Sequence, residues 1–306
     1  MNLSSVLTLL AGFVLAPLLL GVINRTKAVF AGRHGAPCLQ AYYDLAKLLR
    51  KGAVYSRTTT WVFRAAPVIG LASVITALTM IPIAGAPAAV SFAGDVIFFA
   101  YCLGLMRFFT VAAALDTGSS FEGMGASREV LFSALAEPAL VLALAALCRV
   151  TGSLSLSGIF AAMTGSTWIS FGPALALVIV AMLVVFLAEN ARIPVDDPNT
   201  HLELTMIHEV MVLDYSGPDL ALILYASALK LWVLGALIVG TSLSILGLSG
   251  AVAIVGFVGG MLLLAVVVGV IESAMARLSL LKVPQLLIGA GAIAALALAL
   301  IVRSTS

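Results

Sequence analysis

Charge is what this sequence has least of. Only 10% of its 306 residues are Asp, Glu, Lys or Arg, against about 25% in an average soluble domain. Apolar residues supply 62%, and the mean hydropathy is +1.18. This excludes a soluble globular enzyme, a disordered chain and a nucleic-acid binder, and it indicates an integral membrane protein. The net charge of +2 is too small to imply an anionic partner. Cysteine is nearly absent as well. Cys38, Cys102 and Cys148 are singletons, with no CxxC and no Cys/His pair at ligand spacing. An iron–sulfur cluster or zinc site needs clustered thiolates, so the chain is expected to bind no metal of its own. Each cysteine reads as a buried free thiol. G-x-S-x-G, P-loop and dinucleotide fingerprints are missing, so no catalytic residue and no nucleotide site are assigned. No basic stretch precedes the first apolar run, which reads as a span rather than a cleaved signal.

What is present is a set of eight apolar runs, near residues 3–23, 64–84, 93–115, 131–149, 169–188, 219–240, 251–271 and 284–302. Crossing a hydrocarbon core of ~30 Å as helix takes about 20 residues. Helix is forced because lipid offers no partners to backbone amides. The expected fold is an all-α polytopic membrane protein, one transmembrane domain over 1–306, multi-pass in the inner cell membrane. Residues 153–164 are too few to span and read as a loop or re-entrant turn. Twelve of the 16 Lys and Arg fall on one side: Arg25, Lys27, Arg33, Lys47, Arg50, Lys51, Arg57, Arg64, Arg128, Arg192, Arg277 and Lys282. By the positive-inside rule both termini face outside, and the loops after spans 1, 3, 5 and 7 are cytoplasmic.

Those loops hold nearly all the conspicuous polar sequence. In the first, residues 39–51 have helical spacing, with Leu45, Leu48 and Leu49 on one face and Asp44, Lys47 and Lys51 near each other on a second. Two readings stand: an amphipathic helix at the interface, or a docking surface for a soluble subunit. The second loop, Asp116 to Glu129, packs three glycines among small hydroxyls, and Ser127 is placed to cap the following helix. The third runs from Glu189 to Pro218. Asp197 or Asn199 suits the cap of a helix starting near Pro198, on which His201 and His208 share a face. Two histidines could meet a metal, but no third ligand is near and H-E-x-x-H is not formed, so an interfacial or subunit-contact role is favoured. A proton-relay role stays open for them.

The third loop, Ala188-Glu189-Asn190-Ala191-Arg192-Ile193-Pro194-Val195-Asp196 through Glu203-Leu204 to Asp214-Tyr215-Ser216-Gly217, resembles a known signature. That signature is A-E-x-x-R-x-P-F-D-x-x-E-x-E-x-E-L followed by E-Y-S-G. It belongs to the quinone-module membrane component of respiratory complex I and to its homologues in group 4 membrane-bound NiFe-hydrogenase and formate hydrogenlyase complexes. The first loop, with Arg33, Gly35, Pro37, Asp44 and Lys47, resembles the family's R-x-G-P and D-x-x-K-L motifs. The second, Asp116-Thr117-Gly118-Ser119 through Arg128-Glu129 to Glu137-Pro138, is most like the hydrogenase branch. Asn199 and His201 stand where the family has acidic residues, Val195 replaces its Phe, and Asp214 replaces its last Glu.

The resemblance implies a membrane subunit of an energy-converting oxidoreductase. The chain itself would hold no cofactor, with the NiFe centre and iron–sulfur clusters in partner subunits. Its partners would be soluble hydrogenase or dehydrogenase and iron–sulfur subunits on the cytoplasmic side, antiporter-like membrane subunits, and the bilayer. The docking residues would be Arg33, Asp44, Lys47, Asp116, Arg128, Arg192, Asp214 and Tyr215. Ionisable groups inside spans are rare and functional by default. Here they are Arg107, Glu137 and Lys230, with Glu189 and Glu272 at span ends. One reading is a set of pairs that fix helix register, with Glu137 as the candidate partner of Lys230. The other is a hydrated proton or sodium pathway through Glu122, Glu137, Glu189, Asp196, Glu203 and Glu209, with Arg107 and Lys230 as its cations. Two further functions remain: the quinone-binding subunit of complex I itself, and a stand-alone secondary transporter. The transporter class usually shows internal repeats, and none is evident.

Overall fold

The structure is a computed structural model and describes residues 3–196 and 207–305. Its α-helices are α1 (Leu3–Phe30), α2 (Gln40–Leu49), α3 (Trp61–Thr79), α4 (Asp95–Asp116), α5 (Ser120–Thr151), α6 (Leu156–Ala162), α7 (Gly165–Glu189), α8 (Gly217–Leu243), α9 (Gly250–Ala274) and α10 (Val283–Thr305). Among the described residues eight are long and apolar enough to cross a membrane, all but α2 and α6. They match the eight apolar runs.

The helix α8 is the axis of the fold. Its span is 78% buried, against 28–50% for the others. It packs on α1, α3, α7 and α9, while α5 packs on α10, α7 and α4. Prolines interrupt α1, α3, α5 and α7, and each deletes the amide that would bond the carbonyl four residues back. In lipid such a carbonyl needs another donor. Tyrosines supply two of them. Tyr225 donates to Phe13 O (2.9 Å), four residues before Pro17, and Tyr215 donates to Phe63 O (2.7 Å), four before Pro67.

The short α6 stands where a loop or re-entrant turn was expected. Asp95, fully buried, explains it: its carboxylate accepts from Leu156 N and Ser155 Oγ (both 2.7 Å), capping the helix start. The first loop lies hard against α1. A Cβ on Gly21 would sit 1.9 Å from Cys38 O, so only glycine permits that approach. Beyond it α2 buries none of its residues.

One expectation about the loops is corrected. The glycine-rich second loop is mostly helix: α5 begins at Ser120, so Ser127 does not cap it and instead bonds back to Met124 O (2.9 Å). One of its glycines, Gly125, serves packing. A Cβ on Gly125 would come within 2.9 Å of Ile207 O, so its absence lets the third loop lie against α5. The described residues of the third loop on either side of 197–206 pack in part into the bundle. Val195 and Ile207 join a buried cluster with Phe132 and Ala136 of α5 and Val283 and Leu287 of α10. Met211 packs on Ala114 and Ala126. The expected helix start at Pro198, its caps Asp197 and Asn199, and His201 lie outside the described residues.

Candidate functional site: a charge cluster inside the spans

Five ionisable side chains from four helices meet at one place in the bundle. Arg107 of α4 is the centre. Its Nη1 pairs with Glu137 of α5, its Nη2 with Glu189 at the end of α7, and its Nε lies 3.4 Å from Glu129 of α5. Lys230 of α8 brings its Nζ to 3.8 Å from Glu189 Oε2. Helical side chains lean toward the helix N-terminus. Lys230 therefore reaches down α8 toward the end of α7 where Glu189 sits.

The expected partner of Lys230 was Glu137, and this is corrected: the partner is Glu189. The reason is the packing order. α8 lies against α7, whereas Glu137 faces α4 and Arg107. Glu129 was not foreseen as part of the site. It falls seven residues after Glu122 and eight before Glu137, so one face of α5 carries all three carboxylates once the helix is known to start at Ser120. That spacing was the available signal, hidden by reading the glycines as loop.

Three carboxylates and two cations share this cluster, a local formal charge of −1 when all are ionised. Four of the five side chains are largely buried, but the Glu137 side chain is 53% exposed. It opens into a cavity of about 780 Å³ between α4 and α5. Arg107, Glu137 and Glu189 form one end of the cavity, Gly104, Leu140 and Leu144 line its middle, and Arg149 lies toward the other end of α5.

The remaining pathway candidates sit around the third loop. Asp196 is buried; its Oδ2 accepts from Ile207 N (3.1 Å) and His208 N (3.2 Å), and its Oδ1 pairs with Arg277 Nη2 (3.1 Å). It thus ties together the two ends of segment 197–206. Glu122, also buried, accepts from Asp214 N (3.1 Å) and holds the far end of the loop to α5. Glu209 is half-buried just before a 3-10 turn at Val210–Val212. Glu203 lies outside the described residues. His208 connects this loop to the cluster. Its Nε2 is 3.5 Å from Ser227 Oγ, one turn before Lys230 on α8. Burial, then the Lys230 and Arg192 charges, hold its imidazole neutral, with a pKa lowered to about 4.

The residues expected to dock a partner divide in two. Arg33, Asp44, Lys47 and Asp214 are exposed, and Arg128 is half-buried. Asp44 accepts from Gln40 Nε2 (2.9 Å) on α2. Three others are turned to work within the fold. Asp116 accepts from Thr60 N (2.7 Å) and Thr60 Oγ1 (3.0 Å) at the start of α3. Arg192 lies 3.5 Å from Glu272. Tyr215 is buried and stacked on Phe63, centroids 4.0 Å apart, and burial with nearby carboxylates raises its phenol pKa. Tyr215 and Arg192 are thus engaged within the fold, while Arg33, Asp44, Lys47 and Asp214 are exposed. Among the described residues no group of three His, Cys, Asp or Glu is placed to hold a metal ion.

Comparisons with known proteins agree on the whole chain. Residues 3–303 match the NADH dehydrogenase family. Formate hydrogenlyase subunit 4 of Escherichia coli (strain K12) is 32% identical over 285 residues, 90% of each chain. Hydrogenase-4 component C of the same organism is 31% identical over 228 residues, 74% of this chain and 70% of that one. In fold, the chain is similar to one in the membrane-bound sulfane sulfur reductase, an archaeal respiratory membrane complex. That match has a TM-score of 0.80 at 19% identity, covering 96% of this chain and 98% of the other.

Proposed function

The chain belongs to the NADH dehydrogenase family, and from that premise we propose that it is the membrane-anchor and ion-coupling subunit of a hydrogenase-like or formate hydrogenlyase-like energy-converting complex. Electron transfer runs in soluble subunits carrying the NiFe centre and iron–sulfur clusters. They dock on the face rich in Lys and Arg, which is the cytoplasmic one, through Asp44 and Lys47 of the first loop together with Asp214. An antiporter-like membrane subunit packs over the α4–α5 cavity.

The observation that carries this reading is the uneven charge of the intramembrane cluster. An unbalanced charge in a span is expensive, about 2.5–3.5 kcal/mol on insertion scales. The cheapest balance for three carboxylates and two cations is one proton shared among Glu129, Glu137 and Glu189. That proton is exchangeable because Glu137 is open to the cavity. The third loop links it to the docking face. Asp196 and Glu122 hold the loop's backbone, and His208 touches the α8 face that carries Lys230. Displacing the loop shifts Lys230 relative to Glu189 and changes which carboxylate holds the proton.

The test uses inverted membrane vesicles containing the whole complex, energised by its own electron donor. Glu137→Gln leaves the complex assembled and abolishes the proton or sodium gradient formed per electron transferred. A wild-type gradient in that variant overturns the coupling role. Isolation of the chain from membranes without redox subunits overturns the reading as a whole.

A further inference from the structure

A second polar site lies away from this cluster, between the end of α1 and the end of α9. A pocket of about 520 Å³ is lined there by Asn24, Lys27, Phe30, Arg33, Gly35 and Ser273, with alanines between. Its charges do not cancel. The Glu272 side chain is fully buried, and both Lys27 (2.8 Å) and Arg192 (3.5 Å) pair with it. One carboxylate thus serves two cations. Arg33 adds a third, exposed at the pocket edge. The excess is positive, and the pocket lining adds the neutral Asn24 rather than a further acid, the Ser273 hydroxyl being donated to Gly269 O (2.7 Å).

Toward the membrane the surface beside the pocket turns apolar. On α9 the exposed Val266 and Val270 lie seven and three residues before Ser273, so they continue its face into the membrane. The site therefore has a cationic head at the level of the basic loops and an apolar flank beneath it. Basic pockets between spans on that side of a membrane suit phosphate headgroups.

The geometry points to a bound anionic phospholipid, its phosphate held by Lys27 and Arg33 with Asn24, and its acyl chains along Val266 and Val270. This site is independent of the ion-coupling cluster. It assigns Arg33 to lipid rather than to a soluble partner. It also places a lipid beside the Glu272–Arg192 contact that holds the start of the third loop.

The experiment purifies the intact complex from native membranes, washes it in detergent and measures retained lipid by native mass spectrometry. A single anionic phospholipid per chain is expected to resist washing, with phosphatidylethanolamine removed. Arg33→Ala weakens that retention about fivefold, the scale of one surface cation. Arg33→Lys restores it. Unchanged melting temperatures in both variants show that the fold is intact, since the Arg33 side chain is exposed. Equal retention of anionic and zwitterionic lipid, or no loss in Arg33→Ala, overturns the proposal. So does protection by inorganic phosphate equal to that by phosphatidylglycerol, which identifies a free-anion site. Retention that appears only after the soluble subunits are stripped also overturns it, because a protein segment then fills the pocket.

Discussion

Lys230, in the middle of the most buried span, reaches Glu189 at the end of α7 with 3.8 Å between Nζ and Oε2. The same carboxylate also takes Nη2 of Arg107. Glu189 is therefore the joint between the two cations, and removing it takes from Lys230 the carboxylate that lies 3.8 Å away.

This gives a double-mutant expectation. Glu189→Gln or Lys230→Met alone is expected to cost about 3–5 kcal/mol, the usual effect of breaking a buried pair. The combined variant is expected to cost less than the two added together, because the Lys230–Glu189 contact is then lost once and not counted twice. Melting of the purified complex in detergent measures all three. Strict additivity would show that the contact carries no coupling energy.

The tyrosine that faces α3 invites a second cycle. Tyr215→Phe keeps the stack on Phe63 but leaves the Phe63 carbonyl without a donor, since Pro67 has no amide to give. A loss of about 1–3 kcal/mol is expected. Pro67→Ala restores the helical donor, so Tyr215→Phe in that background should cost distinctly less. Equal losses in both backgrounds would separate the hydroxyl from the proline.

Acid sensitivity follows from His208. Its imidazole is neutral in the folded chain, with a pKa lowered from 6.5 to about 4. The unfolded chain takes up that proton between the two values and the folded one does not. His208 therefore lowers stability progressively as the pH falls from 6.5 toward 4, and has no such effect above 6.5. His208→Gln should flatten this part of the stability-versus-pH curve. An unchanged slope between the variants would place the acid sensitivity elsewhere.

The spans were readable because each is a hydropathy run long enough to cross, and α2 was readable from its leucine spacing. Glu129 was not, because Gly123 and Gly125 look like turn residues, whereas Gly125 serves to admit the third loop against α5. The partner of Lys230 was not, because periodicity reports faces and not which helices adjoin. Tyr215 sits among Asp, Ser and Gly and reads as surface. Its burial depends on Phe63 and Pro67, about 150 residues earlier, and no local pattern carries that. The family signature drew attention to the third loop. It did not reveal that Asp196 and Glu122 spend their oxygens on backbone amides of that loop.

The central claim is that the cluster holds one exchangeable proton. Infrared spectroscopy of the purified complex at neutral pH, compared in light and heavy water, reads protonated carboxyl groups directly. Wild type is expected to show one such band that shifts on deuterium exchange. Glu129→Gln, Glu137→Gln and Glu189→Gln should each abolish it, since any one of them leaves two carboxylates for two cations. A wild-type spectrum without that band, or a band that survives all three substitutions, would contradict the account.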